Sequence, residues 1–496
     1  MKTPLFFLAT ICSLTISANT WHVGATQTYT AMSQVKPLVQ NNDTVLIDSG
    51  VYLNDPVKWD KKNLYFKGLG ITKPIMRWNA GDIPNGKGIW VFELVGLSDN
   101  PKIENIVFDG ARVSDGNGGN GAGIRFQAKD ITIKNCVFVN CQNGILEGNG
   151  SVNNSNVIIT DTEFDNNGYE VIGNATHSGY EHHLYISAAA DTFFLQNCYL
   201  HNPRGEANSV KTRAQRSFIL YNKISEETGQ GSWEINIAQG GLSIIMGNVI
   251  VQGPNSINHG MVSYDAATNA IQDFYFINNT VINKYVGNNK YFNISPTTGI
   301  NTFKVYNNLF ASNAGSSNTF MAGTLPVLDS LKNWQALNYN TVGFQNPSTD
   351  DYYLPNGSLQ PIDKGTNAGI ASNGFSLTPI YQKMGMNSSL ETRLLFNSIV
   401  DLGAFEYVPT VSIKNEELSS GNQLNIYVNE NINIKTHTKT NIKMLIITDM
   451  MGKRIYNKEV NTSEINIDKS QFAKGLYIAN VTTETNNLFT QKFIID

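Results

Sequence analysis

The sequence predicts an all-β chain whose body, from roughly Thr44 to Ala311, is a right-handed parallel β-helix, a solenoid of stacked coils, followed by a small C-terminal β-module. Three observations predict it. A strand motif recurs at steps of 25 to 36 residues: Ile103-Glu104-Asn105-Ile106-Val107-Phe108 returns as Ile133-Lys134-Asn135-Cys136-Val137-Phe138 and in six further copies, as far as Val305-Tyr306-Asn307-Asn308-Leu309-Phe310. Such a period, with variable insertions and alternation inside each copy, marks a β-solenoid. The composition agrees: 42 glycines in 496 residues and only 15% charged residues describe a chain of short strands and tight turns. Finally, no helical pattern follows the strands and the leucine spacing of a leucine-rich repeat is missing, which sets that rival solenoid aside.

The elements follow in chain order. Met1-Lys2-Thr3, the apolar run Pro4 to Ser17 and the small polar end Ala18-Asn19-Thr20 read as a secretion signal over residues 1–20, cut between Ala18 and Trp21. The run is too short to span a bilayer. Cys12 lies inside it, and the remaining Cys136, Cys141 and Cys198 form neither a disulfide framework nor a zinc pattern, so they are expected in the packing of the coils. Thr28 to Val39 would cover the first coil, whose edge is otherwise exposed. The third position of each motif copy (105, 135, 161, 197, 222, 247, 279, 307) is mostly Asn. An Asn at one corner of successive coils can pass its amide hydrogen bond up the stack, so these residues are assigned to stability. From Pro326 to Pro409 the pattern loses regularity, and its closing Asp401-Leu402-Gly403-Ala404-Phe405-Glu406-Tyr407 resembles segments that cap the open end of secreted bacterial β-helices. The helix domain is thus expected over residues 21–409 and the last module over 410–496.

After Pro409, Ile442 to Tyr456 reads as two strands joined at Gly452, Phe472 to Val481 as another, and the chain ends on Gln491-Lys492-Phe493-Ile494-Ile495-Asp496. This arrangement resembles the C-terminal sorting domain of the type IX secretion system of Bacteroidetes. The resemblance implies a small β-sandwich, passage through the outer membrane, the secretion machinery as a partner, and a secreted or cell-surface location.

Candidate chemistry comes from the strand that precedes each motif copy. In Gly123-Ile124-Arg125, Gly144-Ile145-Leu146, His183-Leu184-Tyr185, Ser209-Val210-Lys211, Glu234-Ile235-Asn236 and Met261-Val262-Ser263 the central apolar residue is placed inward, and both its neighbours outward. One further outward position adds Glu181, Ser187, Arg213 and Asp265. The face so built gathers Arg125, Glu181, His183, Tyr185, Lys211, Arg213, Glu234, Asn236 and Asp265 over coils spaced by ~4.8 Å, with loops Asn167 to Tyr180 and Glu226 to Ser232 as walls.

Gly121 to Arg125, His183 to Ile186, Glu206 to Ala214, Trp233 to Asn236 and Gln252-Gly253-Pro254 resemble a group of bacterial right-handed β-helix proteins without a settled activity. More distantly, a Lys and an Arg on such a face resemble the base and acid of pectate-lyase-like alginate and chondroitin lyases. That resemblance implies a polysaccharide lyase acting on an acidic, uronate-containing glycan, with Lys211 as base. Arg213, closer to Lys211 than that pattern has it, serves as acid or holds the carboxylate. His183 or Tyr185 would protonate the leaving oxygen, and Arg125, Arg204, Glu181, Asn236 and Asp265 would bind substrate. The alternatives are a glycoside hydrolase with two carboxylates among Glu181, Glu206, Glu234 and Asp265, Glu234 foremost, or a binding surface without catalysis. No cofactor is required by these residues, Ca2+ being the one metal kept open; a metal site of His177, His182, His183 and His259 lacks the spacing of a helical ligand pair. A formal charge of −4 gives no general attraction to nucleic acid, no segment is long enough to span a membrane, and a monomer is expected.

Overall fold

In a computed structural model the chain divides into two compact units, residues 1–409 and 410–496. Residues 18–407 and 424–495 are described, apart from 94–98, 149–152, 170–178, 297, 323–324, 326, 358, 384, 386–388, 396–397, 437–439, 450–452 and 486. Residues 1–17 of the expected signal, the 409/410 boundary, His177 and the Gly452 turn fall outside the described residues, whereas Thr20, expected in the signal, begins the first strand. Among those described, no helix is long and apolar enough to cross a membrane.

Each coil of the first unit gives one strand to each of three parallel sheets, which hold twelve, eleven and ten strands among the described residues. The coil Ile131–Lys134, Val137–Val139, Asn143–Glu147 is representative. Its Phe138 pairs with Phe108 before and Phe164 after, and the three rings stack inside the coil at 5.1 Å. That is close to the spacing between strands, so side-chain stacking and backbone pairing share one repeat. Each such ring contributes about 1.5–3 kcal/mol through burial.

The stack is longer than expected. Thr20–Val23 pairs in parallel with Thr44–Ile47, and Trp334–Ala336 extends the eleven-stranded sheet past Leu309–Ser312. The short helix Met32–Val35 buries Met32 and Val35 against the first coils.

The Asn repeat resolves into two adjacent rows, and the expected series mixes them. Asn105, Asn135, Asp161, Asn197, Asn278 and Asn307 occupy the corner itself, with φ between 51° and 61°. Asn and Asp tolerate this left-handed conformation better than other residues with a Cβ. The next residue points inward: Cys136, Thr162 and Cys198 in earlier coils, then Asn222, Asn248, Asn279 and Asn308. Asn222 and Asn279 therefore belong to the inner row. There the side chain of Asn248 accepts from the backbone N–H of Asn222 at 2.8 Å and from its Nδ2 at 3.0 Å. It donates to Ile219 O at 2.8 Å and to Asn279 Oδ1 at 3.0 Å. Asn279 and Asn308 repeat the pattern. Cys136, Cys141 and Cys198 are buried free thiols, consistent with a packing role.

The segment after Ala336 does not cap the open end. It returns along the outside of the coils, where Val342, Phe344, Tyr352, Leu354 and Phe405 cover Val249, Val251, Ile282, Leu309 and Ala311 on the eleven-stranded sheet. Ala368, Ala371 and Leu377 cover Leu242, Ile244, Met246, Tyr275 and Ile277 on the twelve-stranded one. The cause lies in those outward rows, which are apolar and need cover as much as the inner ones. Arg393 pins the return: its fully buried guanidinium meets Glu406 at 3.1 Å and the carbonyls of Asp401, Gly403 and Phe405 at 3.0–3.1 Å. The carboxylate of Glu406 is thereby structural. The ten-stranded sheet receives no such cover from the segment's apolar clusters.

The second unit is an antiparallel sandwich. One sheet holds Leu424–Val428, Asn431–Thr436 and Glu464–Asp468, the other Arg454–Thr462, Ile442–Asp449, Gly475–Thr483 and Leu488–Ile495. Ile432, Ile434, Leu445, Ile447, Ala479 and Val481 fill the space between.

Candidate functional site

The candidate site is the outer face of the ten-stranded sheet. Its register aligns Ile124, Ile145, Leu184, Val210, Ile235 and Val262 in one buried row. The residue after each forms the row Arg125, Leu146, Tyr185, Lys211, Asn236 and Ser263, which looks outward, and two positions further stand Ser187, Arg213 and Asp265. Lys211 pairs in register with Tyr185 on one side and Asn236 on the other.

The residue before the central one behaves differently from expectation. A Cβ on Gly123 would meet the Phe138 ring at 2.8 Å, and one on Gly144 the Phe164 ring at 2.9 Å, so this row faces the interior. His183, Ser209 and Glu234 share it and are buried completely or nearly so. The strands round a corner here, and two consecutive residues point inward instead of alternating. Glu234 and His183 are thus removed from the outer face. Glu181 is buried at the same corner. Arg204 sits at the corner toward the eleven-stranded sheet, where its Nη2 donates to Gly168 O at 3.3 Å beside Asp165 and Asn202.

On the outer face, Lys211 Nζ lies 5.9 Å and Arg213 Cζ 5.6 Å from the centre of the Tyr185 ring. Lys211 Nζ also donates to Gly179 O at 3.4 Å. Burial, with the charge of Arg213 second, holds the Lys211 ammonium below its usual range, Asp265 opposing. Burial also raises the Tyr185 hydroxyl, lowers Arg125 and raises Asp265. Arg125 Nε, Arg213 Nε and Asn236 Oδ1 are shielded from solvent and have no hydrogen-bond partner among the described residues. Buried polar atoms without partners are rare and call for a reason, and three of them stand on this face.

Sequence reasoning missed two members. His182 stacks on Tyr185 with centroids 5.7 Å apart, and Trp233 stands in the outward row of His182 and Asn208. The corner hid both, because it places them three residues before the outward row rather than two.

In the interior, His183 Nδ1 meets Asn167 Nδ2 at 3.0 Å, and burial pushes the imidazole down to about 3. Glu234 has no hydrogen bond to either carboxylate oxygen. Burial, and then the neighbouring Glu226, drive its carboxyl well above the usual range. Glu226 accepts from Gly253 N–H at 2.8 Å and Ser256 Oγ at 3.3 Å.

A calcium site needs six or more oxygen ligands. On the outer face Asp265 stands near Lys211, and Glu93 pairs with Lys58 at 3.6 Å toward the N-terminal coils; no group of three His, Cys, Asp or Glu among the described residues is placed to hold a metal ion. The residues present do not fit a calcium ion. The three described histidines considered for a metal diverge: His183 turns inward, His182 Nδ1 meets Asn208 at 3.2 Å, and His259 stacks on Tyr285.

Comparison with known proteins adds one family and two solved structures. Residues 425–496 match the secretion system C-terminal sorting domain, which assigns the protein to type IX export and to the cell surface or the space beyond it. No curated protein matches the chain. Among solved structures, pectate lyase Pel9A is similar at 15% identity, over 79% of this chain and 98% of its own, with a TM-score of 0.43. The tailspike protein gp49 from Acinetobacter baumannii bacteriophage Fri1, a capsular polysaccharide depolymerase, is similar at 8% identity, over 96% of this chain and 78% of its own, with a TM-score of 0.32.

Proposed function

We propose that this exported protein is a polysaccharide lyase that binds an acidic, uronate-containing glycan on the outer face of the ten-stranded sheet and cleaves it by β-elimination. The observation that supports the reading is the half-buried pair Lys211 and Arg213 flanking Tyr185 on the outer face. The leader that starts its export ends by Ala18, ahead of Asn19 and Thr20, which join the first coil.

Elimination removes the proton α to the uronate carboxylate and expels the glycosidic oxygen from the β-carbon, leaving a carbon–carbon double bond. It needs a neutral base, a cation against the charge that builds on the carboxylate, and a proton for the leaving oxygen. Lys211, its ammonium disfavoured by burial and Arg213, takes the proton. Arg213 and Arg125 face the carboxylate. Tyr185, kept protonated by burial, supplies the proton to the departing oxygen. Hydrolysis would need two carboxyl groups across the scissile bond, and Glu234 and Glu181, being buried off this face, do not supply the second.

The test is a panel of uronate polymers read two ways. Ultraviolet absorbance of an unsaturated sugar, abolished in Lys211→Ala, supports the lyase. New reducing ends without that absorbance would replace it with a hydrolase, and binding without cleavage with a non-catalytic surface.

A further inference from the structure

The elimination chemistry leaves Trp233 without a task, although its coil is the next one to that of Lys211. We propose that Trp233 and Lys290 form a second sugar subsite beside the Lys211 cluster, for a ring carrying an anionic group, so that the glycan runs along the coil axis and crosses successive coils. The proposal rests on the reading of this face as a glycan site and adds the direction and one contact of the substrate.

Trp233 belongs to the coil of Asn236, next to that of Lys211. Its indole does not stand away from the sheet but extends over the following coil. An ideal Cβ on Gly260 would lie 2.3 Å from Cζ3 and 2.6 Å from Cη2 of the indole, and 3.2 Å from Cε of Lys290. The missing side chain at Gly260 is therefore what lets the ring and the lysine stem meet on the sheet surface. Lys290, in register with Gly260, holds its ammonium 6.0 Å from the indole centre. An indole with an ammonium held over it at 6.0 Å suits a sugar ring that stacks its C–H face on the indole while its carboxylate pairs with the amine.

The platform is tied to the reacting groups. Asn208 Oδ1 accepts the backbone N–H of Trp233 at 3.1 Å, and Asn208 Nδ2 meets His182 Nδ1 at 3.2 Å. His182 in turn lies on Tyr185. On its other flank, His259, the residue before Gly260, stacks on Tyr285 at 4.1 Å. From the coil of Lys211 to that of Lys290 there are three coil spacings, ~14 Å, more than one sugar ring, so the two cations address different sugars of one chain.

The experiment is affinity electrophoresis on Lys211→Ala protein, which leaves the polymer intact, in gels carrying polygalacturonate, alginate or chondroitin sulfate, with neutral dextran as control. Retardation is expected in the polymer that the wild type cleaves and not in dextran. Adding Trp233→Ala weakens it about tenfold, equal to ~1.4 kcal/mol. Gly260→Ala, which removes nothing and only displaces the indole, weakens it in the same direction, and Lys290→Gln reduces it in the acidic gels. Unchanged thermal midpoints show that these variants are folded; if Gly260→Ala is not, Trp233→Phe replaces it and must keep part of the affinity. Retardation untouched by Trp233→Ala overturns the subsite and leaves the lyase reading standing. Equal retardation in dextran overturns the anionic requirement. A wild type that neither cleaves nor is retarded by any uronate polymer overturns the lyase reading and the subsite together.

Discussion

On three successive strands of the ten-stranded sheet, two rows of polar residues run side by side, two residues apart in sequence. The outer row, Tyr185, Lys211 and Asn236, stands on the solvent side; the inner row, His183, Ser209 and Glu234, is sealed in the coil. Both contain groups that could do acid–base chemistry, and both have atoms without hydrogen-bond partners, such as Asn236 Oδ1 outside and His183 Nε2, Ser209 Oγ and both Glu234 oxygens inside. They differ in access. A perturbed group serves catalysis where a substrate can reach it, and elsewhere it lowers the stability of the fold. A strand thus says little about its chemistry until the side of the coil is known for each residue.

The comparison can be broken most directly at Lys211. Lys211→Ala should lower turnover of an acidic glycan ~10²–10⁴-fold with little change in thermal midpoint, followed by ultraviolet absorbance; an intact rate would move the base elsewhere. The next largest effect is expected inside, on the ladder whose hydrogen bonds are complete. Asn248→Ala removes four side-chain bonds and strands buried partners on both neighbouring coils, a loss of about 3 kcal/mol in denaturant unfolding.

Glu234 should respond in the opposite sense. Burial raises its folded-state pKa above the ordinary value of 4.5, so the stability tied to the protonated form is present below about 4.5 and falls as pH rises above it. Glu234→Gln imitates the protonated carboxyl, and is expected to stabilise the protein by about 1–3 kcal/mol at alkaline pH and to flatten the decline in urea midpoint with pH. The smallest effect concerns His201 on the eleven-stranded sheet. Burial opposes its charge, but the hydrogen bonds to Glu163 and Glu227 and the charge of Asp165 raise it to about 9. The stability this contributes is complete below 6.5 and lost as pH climbs through about 9. His201→Asn should remove that part of the alkaline fall in thermal midpoint.

What could be read from the chain followed the physics of the strand. The inward row Ile124 to Val262 and the outward Arg125, Tyr185, Lys211 and Arg213 obey simple alternation, and their register was legible. The corner was not: it turns two consecutive residues inward, and polar His183, Ser209 and Glu234 carry no hydrophobic signal to betray it. The Asn rows were blurred because one residue type does two jobs, accepting a left-handed backbone at Asn278 and bridging coils at Asn279. The returning segment escaped notice because its strands are at most a few residues long, as at Tyr381–Gln382. A signal did exist, since Leu242, Ile244, Met246, Val249 and Val251 make outward positions apolar, which in a parallel sheet implies cover on both faces.

That returning segment also changes how the solenoid should open. A bare stack of coils unfolds locally, each coil held only by its neighbours, and the coils from Phe66 to Phe193 fit that description. From Leu220 to Ala311 the segment lies across several coils at once, anchored where Asn278 Nδ2 and Asn307 Nδ2 bond Asp401 O and Thr366 O at 2.8 and 2.7 Å. No coil there can fray without releasing the segment from the others. Amide hydrogen exchange should therefore be graded along the N-terminal coils and uniform across the strapped ones, which makes the C-terminal half of the solenoid a single cooperative unit and the outer face of the ten-stranded sheet a surface that spans its border.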